Sequence, residues 1–286
     1  MRSNIIQTPM LMLFLAGALA LPGCGTILTE SQVKEVAAFA VAARAYGAFP
    51  GAVIKSHADL SSRRKIVEAA GVESGATASH QAEATDKIRQ ELEQRAVSAA
   101  IALDILNDYA SLLVKLTAEN YSDDLQGDAE KLGRTVDRGI ILYNKQRGAN
   151  LVGFGALAAA GMRGRGGIAI LHEQAQALKN VVTSAAPVIE TMIEEVENIL
   201  ALYLAPPDLK GLKLTMTDDG LKGANEAVLL AITALQGAET YRDAHRKLAE
   251  CVTQPRRLLS SVDRIKAFSD QINEANRLRK KIPGNS

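Results

Sequence analysis

The sequence predicts an all-α chain, an elongated antiparallel bundle of long helices with coiled-coil-like packing. Three observations predict it. Apolar residues recur at spacings of three and four over most of the chain, which keeps a stripe of side chains on one helix face. Aromatics are only 4% of the chain and Trp is missing, while Ala, Leu, Glu, Gln and Lys, which lose least on entering a helix, are abundant. No segment alternates apolar and polar residues with the period of two that a half-buried strand needs. With 47% of its 286 residues hydrophobic, the chain can bury a sizeable core.

The first helix should begin at Thr29 or Ser31, whose hydroxyl can satisfy an orphan backbone N–H, and it carries Val33, Val36, Ala37 and Ala40 on one face. Phe49-Pro50-Gly51 is expected to end it. A short amphipathic piece follows from near Leu60 to Ala70, and the Gly- and Ser-bearing stretch Gly71 to Ser79 reads as a loop. From His80 to near Asn120 the spacing of Leu92, Ala96, Ala99, Leu103, Leu106, Ala110 and Leu113 predicts a long helix with one seam. Leu125, Ala129, Leu132, Val136 and Ile140 predict another from Asp123 to Gln146.

The clearest seam is Leu171, Ala175, Leu178, Val182, Ala185, Ile189, Met192, Val196 and Ile199, alternating four and three without a break. Pro187 lies inside it and must remove one backbone hydrogen bond, so a kink is expected there. Ala205-Pro206-Pro207-Asp208 ends this helix. From Thr217 to Ile282 only Pro255 interrupts, and Leu258, Val262, Ile265, Ile272, Ala275 and Ile282 resume the stripe. No repeat of fixed length appears, which disfavours a solenoid.

The N-terminus has a different character. Arg2 supplies a positive charge, and Met10 to Leu21 is an apolar run of a dozen residues, too short for a membrane span of about 20 and of the length of a signal-peptide core. Leu21-Pro22-Gly23-Cys24 follows at once and resembles the lipobox of bacterial lipoproteins, with Pro22 where a small residue is usual. The resemblance covers these residues alone. It implies that residues 1–23 are a lipoprotein signal peptide, that the Cys24 thiol receives a diacylglycerol, and that Cys24 is then freed and N-acylated. Three acyl chains anchor firmly, since each buried methylene contributes about 0.8 kcal/mol. Gly25 stands where an Asp would signal retention in the inner membrane, so the resemblance favours the periplasmic face of the outer membrane over the inner one. Residues 24–286 then form a single helical-bundle domain, with 24–75 as a looser N-terminal subregion.

Composition and motifs narrow the chemistry. Lys plus Arg number 33 against 32 for Asp plus Glu, so no global field gathers nucleic acid, and none is expected as a partner. Once Cys24 is acylated, Cys251 is a single thiol within a helical pattern, read as a small apolar packing residue. His80-Gln81-Ala82-Glu83 could lend two ligands to a metal, but three or four must converge, and the Glu-x-x-His pairs of two-metal bundles do not precede His172 or His245. Glu190, Glu194, Glu195 and Glu197 read as a solvated strip opposite the seam. Gly164-Arg165-Gly166-Gly167, with Arg163, could present N–H groups to an anion but reads as a hinge between helices. Arg277, Arg279, Lys280 and Lys281 form a basic helix end that favours the negative pole of the helix dipole.

The segment Leu151 to Met162 is apolar on every side of a helix and rich in glycine. Burial at the turn between the helices ending near Gln146 and beginning near Gly167 is expected, and a tip that inserts into lipid is the rival reading. The sequence therefore points to a non-enzymatic, lipid-anchored periplasmic scaffold or binding lipoprotein, without catalytic residues, cofactor or metal. Its partners would be membrane lipid, through acylated Cys24, and a protein of the cell envelope. A membrane-active helical protein inserting its Leu151 to Met162 tip is the alternative.

Overall fold

Thr29 opens the first helix by a reciprocal cap: its hydroxyl accepts from the Gln32 backbone N–H, and the Gln32 side chain accepts from the Thr29 N–H at 2.8 Å. Helix α1 spans Glu30–Tyr46. The computed structural model describes residues 28–54, 77–118, 123–157, 168–204, 218–254 and 258–281. Five more long helices follow: α2 (Thr77–Leu116), α3 (Asp123–Arg147), α4 (Ile168–Leu204), α5 (Asp218–Thr253) and α6 (Leu258–Lys281). Among the described residues no strand occurs, so the chain is an all-α bundle.

Several boundaries differ from the sequence reading. Phe49-Pro50-Gly51 does not end the helical path: a single turn residue at Gly47, itself with helical dihedrals, interrupts it and helix resumes over 48–54. Pro50 is tolerated there because it falls in the first turn of the new piece, where backbone N–H groups lack intrahelical acceptors anyway. A side chain on Gly47 would collide with Asn107 of α2, so this is also a point of close approach between the two helices. The loop expected to Ser79 gives way to helix at Thr77, past the last glycine of the stretch. The piece expected over Leu60 to Ala70 lies outside the described residues.

Helix α2, at 40 residues, is about 60 Å long. Helix α3 ends one residue beyond expectation, where Gly148 takes the left-handed conformation (φ 65°) that closes a helix C-terminus. Helix α4 continues through Pro187, whose exposed ring lies on the solvent side. Ala175, Leu178, Val182, Ala185, Ile189, Met192, Val196 and Ile199 are all buried, as the seam requires.

Helices α1, α2, α4 and α5 pack in a ring, each against the next; α3 flanks α2, and α6 covers α5 and α1. Pairings along the helices show that α5 runs opposite to its three neighbours. Gln32 of α1 reaches the Cys251 carbonyl, and Tyr46 reaches that of Ala234. Arg246 meets Glu190 of α4, and Arg242 meets Glu197. Asp243 faces Arg264 of α6, and Gln236 faces Gln271. Helices α2 and α3 are likewise antiparallel, with Lys115 against Asp128 and Gly139 beneath Ile105. The looser subregion expected over 24–75 thus contributes α1 to the ring itself, with Val36, Phe39, Ala40 and Tyr46 buried.

Among the described residues, most of the aromatic rings are buried. Phe39, Tyr46, Tyr241 and Phe268 meet with ring centroids 5.1 to 6.3 Å apart, joining α1, α5 and α6 at their common contact.

Candidate functional site

Cys24, the expected lipid attachment residue, lies outside the described residues. What the structure places beside it is the start of α1. Leu28 is buried, and Gln32, 1% exposed, donates from Nε2 to the Cys251 carbonyl at 2.6 Å. A buried amide that both caps its own helix and binds the end of α5 fixes this pole of the bundle, since releasing it would leave polar groups unpaired away from water. Cys251 itself is fully buried and free, packed as a small apolar residue.

The apolar segment after α3 is only partly as expected. Its described portion has no regular secondary structure over 151–154, where a helix was expected, and it lies back along α3. Asn144 holds Leu151 from both sides, donating to its carbonyl at 2.8 Å and accepting from its N–H at 3.0 Å. Asp137 accepts from the N–H groups of Gly155 and Ala156, as a helix cap would, though the carboxylate comes from another element. Gly155 and Gly133 touch backbone to backbone, and a side chain on either would overlap the other's carbonyl. Phe154 is 1% exposed, edge-on to Tyr109 at 5.6 Å, whereas Val152 is 80% exposed. Residues 158–167, including the Gly164-Arg165-Gly166-Gly167 stretch and Arg163, lie outside the described residues.

The glutamate strip of α4 is not a uniform solvated surface, which corrects the sequence reading. Glu190 is exposed and paired with Arg246, but Glu195 is 5% exposed. Tyr143 of α3 donates to Glu195 at 3.0 Å, and Arg147 approaches it at 3.3 Å. Burial, with the Glu195 charge beside it, pushes the Tyr143 hydroxyl up to about 12. Glu197 is half-buried on the Arg242 guanidinium, and burial raises its pKa against the pull of that cation. The reason is that α4 is flanked on more than one side, so residues off the heptad seam also meet neighbours.

The most enclosed polar feature is one the sequence reading passed over. Tyr109 of α2 and His245 of α5 are both buried and share a hydrogen bond of 2.8 Å across the ring of helices. The His245 ring lies 5.6 Å from that of Phe39 and 5.5 Å from that of Tyr109. Burial pushes the imidazole down to about 4, with Glu190 pulling the other way, so the ring is neutral at physiological pH. Its far side lines a cleft of about 240 Å³ between α4 and α5, together with Ala186, Ile189, Glu190, Ile193, Arg242, Arg246 and Ala249. The signal in the sequence is a polar ring on the apolar stripe Ala238, Tyr241, His245, Leu248, Val252, but its partner stands 136 residues away.

Other candidates are not brought together. His80 and Glu83 lie near the start of α2 and His172 near the start of α4, with side chains outside the described set. Among the described residues no group of three or more His, Cys, Asp or Glu side chains could hold a metal ion. Arg277 near the end of α6 pairs with Glu274 at 3.0 Å in water; Arg279, Lys280 and Lys281 lie on the same helix end. Comparison with protein-family models, curated proteins and solved structures finds no match to this chain.

Proposed function

We propose that this chain is a non-enzymatic lipoprotein of the bacterial envelope: a helical bundle held by lipid on Cys24 at the periplasmic face of the outer membrane, where it serves as a scaffold or binding module. The observation that carries this reading is Leu21-Pro22-Gly23-Cys24, directly behind an apolar run of signal length and five residues before Thr29, the cap of α1. Because Leu28 is already buried, the tether from Cys24 to the bundle is four residues, reaching at most about 14 Å. The pole formed by the start of α1 and the end of α5 would then ride close to the lipid headgroups.

The body of the protein supports anchoring by lipid rather than by helix. Glu30–Ile54 and Glu93–Leu116 are long and apolar enough to cross a membrane, yet 50% and 56% of their apolar windows are buried against other helices. The buried location of Phe154 likewise weighs against lipid insertion of the segment it belongs to. Polar pairs such as Tyr109 with His245 join separate helices and hold their register, which suits a rigid scaffold. Replacing Cys24 with Ser should abolish fatty-acid labelling and release the chain from the membrane fraction. Continued labelling of that variant would defeat the proposal.

A further inference from the structure

We propose that the cleft between α4 and α5 binds a small organic acid, its carboxylate meeting His245 and Arg246 and its aliphatic body lying among Ala186, Ile189, Ile193 and Ala249. The proposal goes beyond the anchoring reading and does not depend on it, since the cleft belongs to the bundle whether or not Cys24 carries lipid.

The space has a sequence cause. Two helices packed along an apolar seam normally fill it, but here Ala186 and Ala249 stand where longer side chains would close the gap, leaving about 240 Å³. The polar end follows from counting hydrogen bonds. Among the described residues the Tyr109 hydroxyl proton has no acceptor but His245 Nε2, so the arrangement that pairs this buried donor has Tyr109 donating and puts the imidazole proton on Nδ1, which is not among the fully buried atoms left without a partner. That Nδ1–H has no partner among the described residues, on a ring that is 3% exposed and lines the cleft. Arg246 gives one N–H to Glu190 at 2.9 Å and Arg242 one to Glu197, and each guanidinium carries five. Asp243 stands 3.9 Å from Arg246, and Glu197 keeps one buried oxygen without a partner beside Arg242, but of these carboxylates only Glu190 lines the cleft, so along its wall the free N–H donors of Arg242, Arg246 and His245 outnumber the acceptors.

A carboxylate satisfies such a donor set, and an ammonium would add donors to donors. The apolar walls ask for a hydrocarbon body, and the volume, below the usual ligand-pocket range of about 300–1,000 Å³, keeps that body short. Recognition would come from pre-placed groups: the Tyr109 hydrogen bond and the Phe39 ring hold the imidazole in place before any ligand arrives.

Hexanoate, with hexylamine as the cationic counterpart, tests the proposal on the purified full chain. Titration followed through the imidazole proton resonances should give a saturable shift of His245 with hexanoate, with a Kd of about 1 mM or tighter, and none with hexylamine. Ala186→Leu, which fills the cleft, should abolish the shift. Arg246→Gln, at an exposed position that the fold tolerates, should weaken binding about tenfold, as loss of a charged hydrogen bond does. Lack of saturation, an equal response to hexylamine, or unchanged affinity in either variant that keeps the native melting curve would overturn the assignment.

Discussion

Truncating Phe154 to alanine removes a ring that is 1% exposed and set edge-on against Tyr109 at 5.6 Å. The loss combines the transfer of the missing carbons, the aromatic contact and the cavity left behind, together about 3–5 kcal/mol for a buried Phe→Ala change. The cavity should not collapse easily. Asn144 still grips Leu151, Asp137 still caps Gly155 and Ala156, and Gly155 still rests on Gly133, so the segment over 151–154 is held in place over the hole. Two residues away, Val152 is 80% exposed, and Val152→Ala should change stability by less than about 0.5 kcal/mol. Urea unfolding of both variants, followed by far-ultraviolet ellipticity, measures the contrast. A Phe154→Ala cost below about 1 kcal/mol, or one no larger than that of Val152→Ala, would refute burial of this segment and reopen its reading as a lipid-inserting tip.

Other expectations follow from single contacts. Burial puts the His245 pKa at about 4, below the ordinary histidine value of 6.5, so the unfolded chain takes up this proton first. Stability from this group is complete above pH 6.5 and is lost as pH falls toward 4, at about 1 kcal/mol per pH unit. His245→Gln, which can still accept from Tyr109, should flatten that slope in urea melts compared across the interval; an unchanged slope would deny the buried neutral ring. Gly155→Ala drives a methyl into the Gly133 carbonyl, and since both are backbone neither can step aside; a loss of about 1–3 kcal/mol is expected by thermal melting. Tyr143→Phe deprives the buried Glu195 of its 3.0 Å donor while Arg147 remains, and about 1–3 kcal/mol should be lost in urea.

The fold was legible where helix periodicity alone decides. The seam from Ala175 to Ile199 is buried residue for residue, and Thr29 caps α1 with Gln32 three residues on, because both patterns are local. Local rules misled at Phe49-Pro50-Gly51, where proline reads as a stop unless the interruption at Gly47 is known, since that interruption makes Pro50 part of a new first turn. The glutamates of α4 show another limit. Periodicity places Glu195 off the seam, but whether a second neighbour covers that side depends on Tyr143 and Arg147, contributed by α3 about fifty residues earlier. The candidate cleft was illegible for the same reason: His245 is recognisable as a polar ring on an apolar stripe, but only the assembled ring of helices gives it Tyr109 of α2 on one side and a gap against α4 on the other. The irregular path of 151–154 depends on Asn144 and Asp137, two exchangeable polar residues on the face of α3 that the apolar pattern leaves aside.

The central claim, that the bundle hangs from a lipid on Cys24, is tested most directly by intact-mass and peptide mass spectrometry of the chain extracted from native membranes. The account predicts a mature protein beginning at Cys24, with the N-terminal peptide heavier than its sequence by a diacylglycerol thioether and an amide-linked acyl chain. A chain that retains residues 1–23, or one that begins elsewhere with an unmodified N-terminal peptide, would contradict it.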